Sequence, residues 1–210
     1  MSWCWRGKGR LSSTTALNRG DPLVWQHAPG VLRGKVMNFW ETVQKRRSVR
    51  HFDSEREVPP QMVERILEAA ITAPTAGDRQ PWHFVVVKDA KVRKAIAQSA
   101  LRQDFVAQAP VVIVVCGEPE RSGARRGQRL ADLYTVQDTA AATENILLAA
   151  TALGLGSCWV SEFREEALAE ALGLSERFWP LAVIPIGYPL KEAAGGRRRR
   201  PLEEVVRFIG

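Results

Sequence analysis

The sequence is poor in the residues that build metal centres and disulfide frameworks. It contains three histidines without metal-ligand spacing and three cysteines, Cys4, Cys116 and Cys158, without a C-x-x-C pair. An odd number of cysteines at these spacings predicts neither a disulfide framework nor a zinc site. Such cysteines are typical of a reducing compartment, so we expect the cytoplasm.

Several functional signatures are also absent. No apolar run approaches the ~20 residues that span a bilayer, and the start lacks a secretory pattern, so we expect a soluble, unexported protein. Neither G-x-x-x-x-G-K-[ST] nor G-x-S-x-G occurs, which argues against a nucleoside triphosphatase and a serine hydrolase. The glycines of residues 154–156 follow a predicted helix instead of a strand, which is typical of a helix end rather than a dinucleotide loop.

The net charge of +7 is concentrated near the N-terminus. Residues 1–36 carry six basic side chains and one acidic one, whereas residues 37–210 carry 24 basic and 22 acidic ones. A nearly neutral globular part argues against a broad face for nucleic acid. A binder of nucleic acid or anionic surfaces that uses residues 1–36 stays open as a remote alternative.

The first 36 residues show no helical or strand period. We expect them to form a poorly ordered basic leader. Met37 is followed at once by a helical apolar pattern that contains Phe39, Trp40 and Val43, so Met37 is a candidate for the true start. The expected folded domain covers residues 37–210.

Helical and strand patterns alternate along this domain, which predicts an α+β fold. Helices are expected from Pro60 onward and over residues 91–108, 132–153 and 164–172, with strands over 83–87, 111–116, 157–160 and 181–186. The polar stretch 117–130 predicts a surface loop or flap. The alanine-rich helix 132–153 is expected to be central and buried, with an apolar face made of Leu133, Val136, Ala140, Leu147 and Ala150.

Two basic clusters stand far apart in the chain. Lys45–Phe52 reads K-R-R-S-V-R-H-F, and residues 197–200 are four consecutive arginines. A guanidinium is a planar fork of donors that suits phosphate, and a serine hydroxyl can add one bond. Either cluster taken alone is most simply a solvated basic run.

Four segments follow one another along the chain: R-R-S-V-R-H-F, A-P-T-A-G-D-R-Q-P-W-H-F-V-V-V, the long helix that runs into G-L-G-S-C-W-V, and I-G-Y-P followed by R-R-P-L-E-E-V-V. In this order they resemble the nitroreductase family of FMN-dependent oxidoreductases. The resemblance covers residues 37 to 209. It implies a three-layer α-β-α fold with a mixed central sheet and a long buried helix. It also implies a homodimer that holds FMN at its interface, with the C-terminal segment of each chain wrapped around the other.

The resemblance implies that the two basic clusters converge on the FMN phosphate. From the first cluster it implies contacts by Arg46, Arg47 and Ser48, supported by Arg50. From the second it implies a phosphate contact by Arg199, with Arg197 as a helper.

The resemblance also assigns a loop to the flavin of the second subunit. Its binding residues here are Thr75, Asp78 and Gln80. The family has an asparagine where this chain has Asp78, and an ionised carboxylate can only accept hydrogen bonds. Asp78 could accept from flavin N3–H, and its charge should lower the flavin reduction potential.

Trp159, Val160 and Ser161 match the stretch that passes the reactive edge of the flavin with its backbone groups. Glycine is commoner in the family at the position of Ser161. The implied reaction takes hydride from NADH or NADPH through flavin N5 to a nitroaromatic, quinone or enone in a ping-pong cycle, and the loop 117–130 is expected to shape the acceptor pocket. No catalytic side chain is required, because the chemistry takes place on the cofactor. The alternative is a flavoenzyme of the same fold that acts as a dehydrogenase or remodels the flavin.

Overall fold

The computed structural model describes residues 37–101, 103–123, 127–191 and 198–210. The expected leader at residues 1–36 and the predicted phosphate ligand Arg197 lie outside these ranges, so both stay predictions. All the described residues belong to one compact unit that spans residues 34–210.

Helices and strands follow one another in the order expected from the sequence. The helices are α1 (Phe39–Lys45), α2 (Pro60–Ala70), α3 (Ala90–Ser99), α4 (Phe105–Gln108), α5 (Pro119–Ser122), α6 (Gln128–Ala152), α7 (Glu165–Leu172) and α8 (Leu202–Val205). The strands are β1 (Trp82–Val87), β2 (Val111–Gly117), β3 (Gly156–Ser157) and β4 (Trp179–Gly187).

The four strands form one sheet in the order β1-β2-β4-β3. All three strand pairs are antiparallel, and the register shifts between Val115 and Cys116 where β2 meets β4. A parallel pairing is present outside these strands, as an isolated bridge between Ser48 and Ser157. The four named strands therefore form an antiparallel sheet, and the mixed pairing implied by the resemblance is limited here to this isolated bridge at the β3 edge, where the first basic cluster lies.

Strand β2 shows why the fold has three layers, because its alternate side chains enter two different cores. Val111, Ile113 and Val115 pack with residues of α2 and α6 on one face of the sheet. Val112, Val114 and Cys116 pack with residues of α3, α4 and α7 on the other. A strand covered on both faces reads as a continuous apolar run. The all-apolar sequence of β2 is thus explained by two layers of helices.

Helix α6 has 25 residues and a buried stripe that is partly polar. Thr135, Thr139, Thr143 and Thr151 donate their hydroxyls to the carbonyls four residues earlier at 2.7–2.9 Å, which satisfies these groups inside the core. The predicted apolar face was partly wrong, since Leu133 and Val136 are 47% and 39% exposed. The buried stripe combines apolar residues, among them the predicted Leu147 and Ala150, with these threonines and Asp138, which a hydrophobicity pattern does not mark.

Three predicted elements differ in extent from those observed. The helix expected over residues 91–108 is split into α3 and α4, and Leu101 between them has a left-handed φ of 52°. The loop expected over 117–130 contains α5, and α6 begins at Gln128 within it. The third strand covers two residues only, with Val160 joined to Val183 by an isolated bridge.

Among the described residues, no helix has both the length and the apolar character needed to cross a membrane.

Replacing Ile113 with alanine should destabilise the protein by about 2–5 kcal/mol, because its side chain is fully buried at the centre of β2 and the cavity would not refill. Chemical denaturation followed by circular dichroism measures the change. The matched control is Ile71→Ala, since Ile71 is 55% exposed and should change stability by about 0.5 kcal/mol or less. Equal losses in the two variants would contradict this account of the core.

Candidate cofactor-binding site

The first basic cluster begins where helix α1 ends. Asn38 caps the start of α1 in a reciprocal capping box with Glu41, at 3.0 and 3.3 Å. Arg46 is the C-terminal cap residue, and its N–H donates to the Thr42 carbonyl at 2.9 Å. The chain then runs extended beside β3, where the Val49 N–H donates to the Ser157 carbonyl at 2.9 Å. The arginines are therefore held by a capped helix on one side and by the sheet on the other.

The structure brings the two basic clusters together at one cavity. The cavity has a volume of about 800 Å³ and is lined by Val43, Gln44, Lys45, Arg46, Arg47, Glu144 and Arg199. Arg199 comes from the stretch before α8, and the other cations come from the end of α1. Residues about 150 positions apart in sequence thus contribute three guanidinium groups to one space.

The guanidinium groups in this cavity have different local partners. Arg46 Nε lies 3.9 Å from a carboxylate oxygen of Glu144, a side chain of α6 that is half exposed. Arg47 donates through Nη1 to the carbonyls of Gln44 and Arg46, the second at 2.8 Å, so it also closes the end of α1. No sequence pattern marked Glu144 as part of this site. Its place in the cavity depends on the packing of α6 against α1.

Ser48 and Arg50 lie beside the buried thiol of Cys158. Burial raises the pKa of Cys158, while a hydrogen bond with Ser48 and the charges of Arg50 and Arg46 act in the opposite direction. The Arg50 guanidinium also lies 5.8 Å from the centre of the Phe105 ring. Cys158 had no predicted role at this site, because nothing in its spacing marks a contact with a segment 110 residues earlier.

Ser157 is a second residue that sequence reasoning missed. Its hydroxyl oxygen is buried and has no hydrogen-bond partner among the described residues. A buried hydroxyl without a partner is uncommon in a folded protein and invites a ligand or water as an explanation. Since Ser157 is bridged to Ser48, this group lies next to the predicted phosphate ligands.

The loop that contains Thr75, Asp78 and Gln80 has an unusual backbone. Gly77, Asp78 and Gln80 all have left-handed φ values, of 64°, 54° and 51°. This conformation costs a residue with a side chain roughly 1–2 kcal/mol. The loop is closed by two bonds of Gln80, whose N–H donates to Thr75 Oγ1 at 3.2 Å and whose side-chain amide donates to Asp78 Oδ1 at 2.8 Å. The predicted residues are thus linked to one another, and Asp78 and Gln80 are exposed.

Asp138 of α6 holds the start of this loop. Both of its carboxylate oxygens accept from the Ala76 N–H, at 3.1 and 3.2 Å, and the residue is buried. Burial raises the pKa of Asp138, partly offset by that hydrogen bond. A folded-state pKa above the unfolded value means that ionisation of Asp138 opposes folding. The stability that its protonated form contributes is therefore lost as pH rises from the unfolded to the folded pKa. The sequence showed Asp138 in the helix but not this contact across 62 positions.

The third predicted segment lies at the β3 edge. Val160 exchanges two backbone hydrogen bonds with Val183, at 3.0 and 2.9 Å, which anchors the stretch to β4. Trp159 is 36% exposed, and Ser161 is exposed as well. The backbone N–H of Val160 is therefore already used, and the flanking residues face solvent.

The chain matches the family model described as the nitroreductase family, over residues 43–103 and 95–188. This chain belongs to the nitroreductase family. The oxidoreductase class and the three-layer α+β fold predicted from the sequence are thereby confirmed. The roles of the individual site residues stay predictions.

Two relatives support this membership over most of their length. A protein of Archaeoglobus fulgidus, provisionally named an NADH dehydrogenase/NAD(P)H nitroreductase, is 41% identical over 154 residues, which are 71% of this chain and 84% of that protein. The NADH dehydrogenase of Thermus thermophilus is 32% identical over 198 residues, covering 81% of this chain and 96% of the relative.

A solved structure and a more distant relative show the breadth of the fold. The structure is a protein of Exiguobacterium sibiricum, provisionally described as a nitroreductase, in complex with FMN; it has a TM-score of 0.78 at 20% identity and covers 84% of this chain and 99% of that one. Human iodotyrosine deiodinase 1 is 28% identical over 200 residues, 82% of this chain and 68% of the human protein. Likeness at this level shows the fold and leaves the substrate open.

Proposed function

We propose that this chain is an FMN-dependent oxidoreductase that takes hydride from NADH or NADPH and passes it, through flavin N5, to a small acceptor in a ping-pong cycle. Candidate acceptors are nitroaromatics, quinones and enones. The observation that carries the proposal is the convergence of Arg46, Arg47 and Arg199 on one cavity in a member of the nitroreductase family. The NADH and NAD(P)H names of two relatives and the FMN in a neighbouring structure support it.

The donor set of the cavity fits a phosphate monoester. Three guanidinium groups and one carboxylate, that of Glu144, face the same space, so positive charge prevails there. Charge-assisted bonds between arginine and phosphate are among the strongest that proteins make. Arg46, Arg47 and Arg199 would hold the phosphate, and Ser48 and Arg50 would lie toward the adjoining chain.

FMN, when bound, supplies the hydride-transferring N5 atom, so the chain itself needs no nucleophile. In this proposal Asp78 faces the flavin ring and disfavours added negative charge on it, which lowers its reduction potential. The side-chain amide of Gln80 donates to Asp78 and offsets part of that effect. Trp159 and Ser161 line the ring from the β3 edge, with Val160 as their anchor.

We propose a homodimer with FMN at its interface, because the predicted site residues of one chain lie at opposite edges of the sheet. Ser48 is bridged to β3, whereas the loop with Asp78 runs into β1, and the sheet order separates these strands by three spacings, roughly 14 Å. A second copy could supply the loop. Large apolar side chains are exposed on α1 and in the C-terminal segment, including Phe39, Trp40, Leu202, Phe208 and Ile209. Exposed apolar area of this kind is typical of interfaces.

A second candidate function keeps the flavin and changes the reaction. The likeness to iodotyrosine deiodinase 1 shows that relatives of this chain carry names other than nitroreductase. In that case the chain is a dehydrogenase or a flavin-remodelling enzyme of the same fold. A bound flavin that neither NADH nor NADPH bleaches would favour this reading.

The cytoplasm stays our proposed location. Cys116 and Cys158 are both free and buried, and burial raises the pKa of the Cys116 thiol to about 12. Unpaired cysteines fit a reducing compartment.

The purified protein should be yellow, release FMN on denaturation, and bleach when NADH or NADPH is added without oxygen. The visible absorbance of the flavin measures both steps. A colourless protein that cannot be reconstituted with FMN would overturn the proposed function.

Arg199→Ala should weaken FMN binding about 10- to 100-fold, because it removes one charge-assisted phosphate contact. Titration of the apoprotein with FMN, followed by the loss of flavin fluorescence, gives the dissociation constant. Arg65→Ala on α2 is the matched control, since Arg65 does not line the cavity. Equal affinity of the two variants would remove Arg199 from the site.

Phe208→Asp should weaken the dimer, because a 93% exposed phenyl ring in the C-terminal segment would be replaced by a charge at the proposed interface. Sedimentation equilibrium of the full chain over a range of concentrations measures the association. Lys94→Asp on α3 places the same carboxylate on an exposed helix of the opposite layer and should leave the association unchanged. An unchanged association in Phe208→Asp would contradict this role of the segment.

A further inference from the structure

A carboxylate, that of Asp138, lies buried in this protein. Asp138 is 6% exposed and has no ion-pair partner among the described residues. Burying a charge without a cation is unfavourable. The neighbouring buried positions of α6 hold threonines that bond back to their own helix. A threonine at position 138 could do the same, so the carboxylate serves something outside the helix.

The group outside the helix is the backbone of the loop Thr75–Gln80. The Ala76 N–H donates to both oxygens of Asp138, just before three left-handed residues within four positions. Strained backbone of this kind persists only where its surroundings hold it in place, and it gathers at functional sites. Gln80 ties the loop to itself, and Arg121 donates to the Arg79 carbonyl at 3.4 Å. Asp138 holds the start of the loop through its hydrogen bond with the Ala76 N–H.

Helix α6 grips the approach to this loop at a second point. Asn145 donates to the Ala69 carbonyl at 3.0 Å, at the end of α2. Asp138 and Asn145 are seven residues apart, about two helical turns or 10.5 Å along α6. The same helix carries Glu144 into the arginine cavity. Helix α6 thus contributes to the wall of the arginine cavity and supports the loop, which in the proposed dimer belong to two different flavin sites.

We propose that Asp138 is a positioning residue, which holds the loop Thr75–Gln80 so that Asp78 stands at a fixed distance from the flavin ring. The inference rests on the proposed function. The influence of the Asp78 charge on the flavin depends on their separation, since a charge interaction weakens with distance and with the entry of water. Without Asp138 the loop relaxes, and the charge of residue 78 then has a smaller effect on the reduction potential of the flavin.

A double-mutant cycle on the holoenzyme tests this coupling. The reduction potential of bound FMN is measured in Asp78→Asn, in Asp138→Ala and in the double variant. Asp78→Asn should raise the potential, and in the Asp138→Ala background that rise should fall to less than about half. A purely structural role for Asp138 would leave the rise unchanged, and that result would overturn the inference.

Three further variants keep the test decisive. Asp138→Asn retains an oxygen that can accept from Ala76 and should preserve most of the rise. Asp138→Thr places at this position a residue like the threonines of α6 that bond to their own helix, and it should abolish the rise as Asp138→Ala does. It replaces Asp138→Ala in the test if that variant does not fold. Thr143→Val, on the same buried stripe but without a bond to the loop, should leave the rise intact. Loss of the rise in Thr143→Val would overturn the specific role of Asp138.

The failure of this inference is distinguishable from the failure of the proposed function. If Asp78→Asn binds FMN with an unchanged potential, Asp78 does not face the flavin and the inference is wrong, while FMN binding stands. If the unaltered protein cannot bind FMN, the proposed function itself fails.

Discussion

The close packing of helix α6 on the sheet is the constraint on which the site depends. A Cβ atom at Gly117 of β2 would overlap the Thr135 side chain of α6, so only glycine allows this approach. The threonines of the buried stripe bond to their own helix and let a partly polar face enter the core. Held at this distance, α6 presents Glu144 to the arginine cavity and Asp138 to the loop before β1.

A second close approach places the first basic cluster. A Cβ atom at Gly156 would lie 2.8 Å from the Val49 side chain, so the segment after α1 can run beside β3 only because residue 156 is glycine. The capping box of α1 fixes where the helix starts, and the bridge of Ser48 to Ser157 fixes where the extended segment continues. The backbone of this segment is therefore positioned by these contacts, and the side chains of Arg46 and Arg47 extend from it to the cavity.

Charge in this protein is local rather than general. Residues 37–210 are close to neutral, yet three guanidinium groups meet at one cavity with a single carboxylate among them. The meeting of Arg46 and Arg47 with Arg199 in space suits a site for one small anion. A broad basic face would instead have spread the same charges over the surface.

How much could be predicted depended on whether the signal was local. The order of helices and strands and the start of α2 at Pro60 were correctly predicted, because proline, glycine and apolar spacing act within a few residues. The buried face of α6 was wrongly predicted at Leu133 and Val136, since periodicity marks apolar side chains and half of the buried residues of α6 are threonines or Asp138.

The sequence by itself determined the α+β order, the family and the candidate phosphate ligands, because residue types and short spacings carry that information. Only the tertiary structure decided which partners these residues meet: Arg46 with Glu144, Ser48 with Cys158, and Ala76 with Asp138. The reason is physical. Each of these contacts joins segments that are 62 or more positions apart, and their meeting is set by how closely helix, strand and loop backbones can approach.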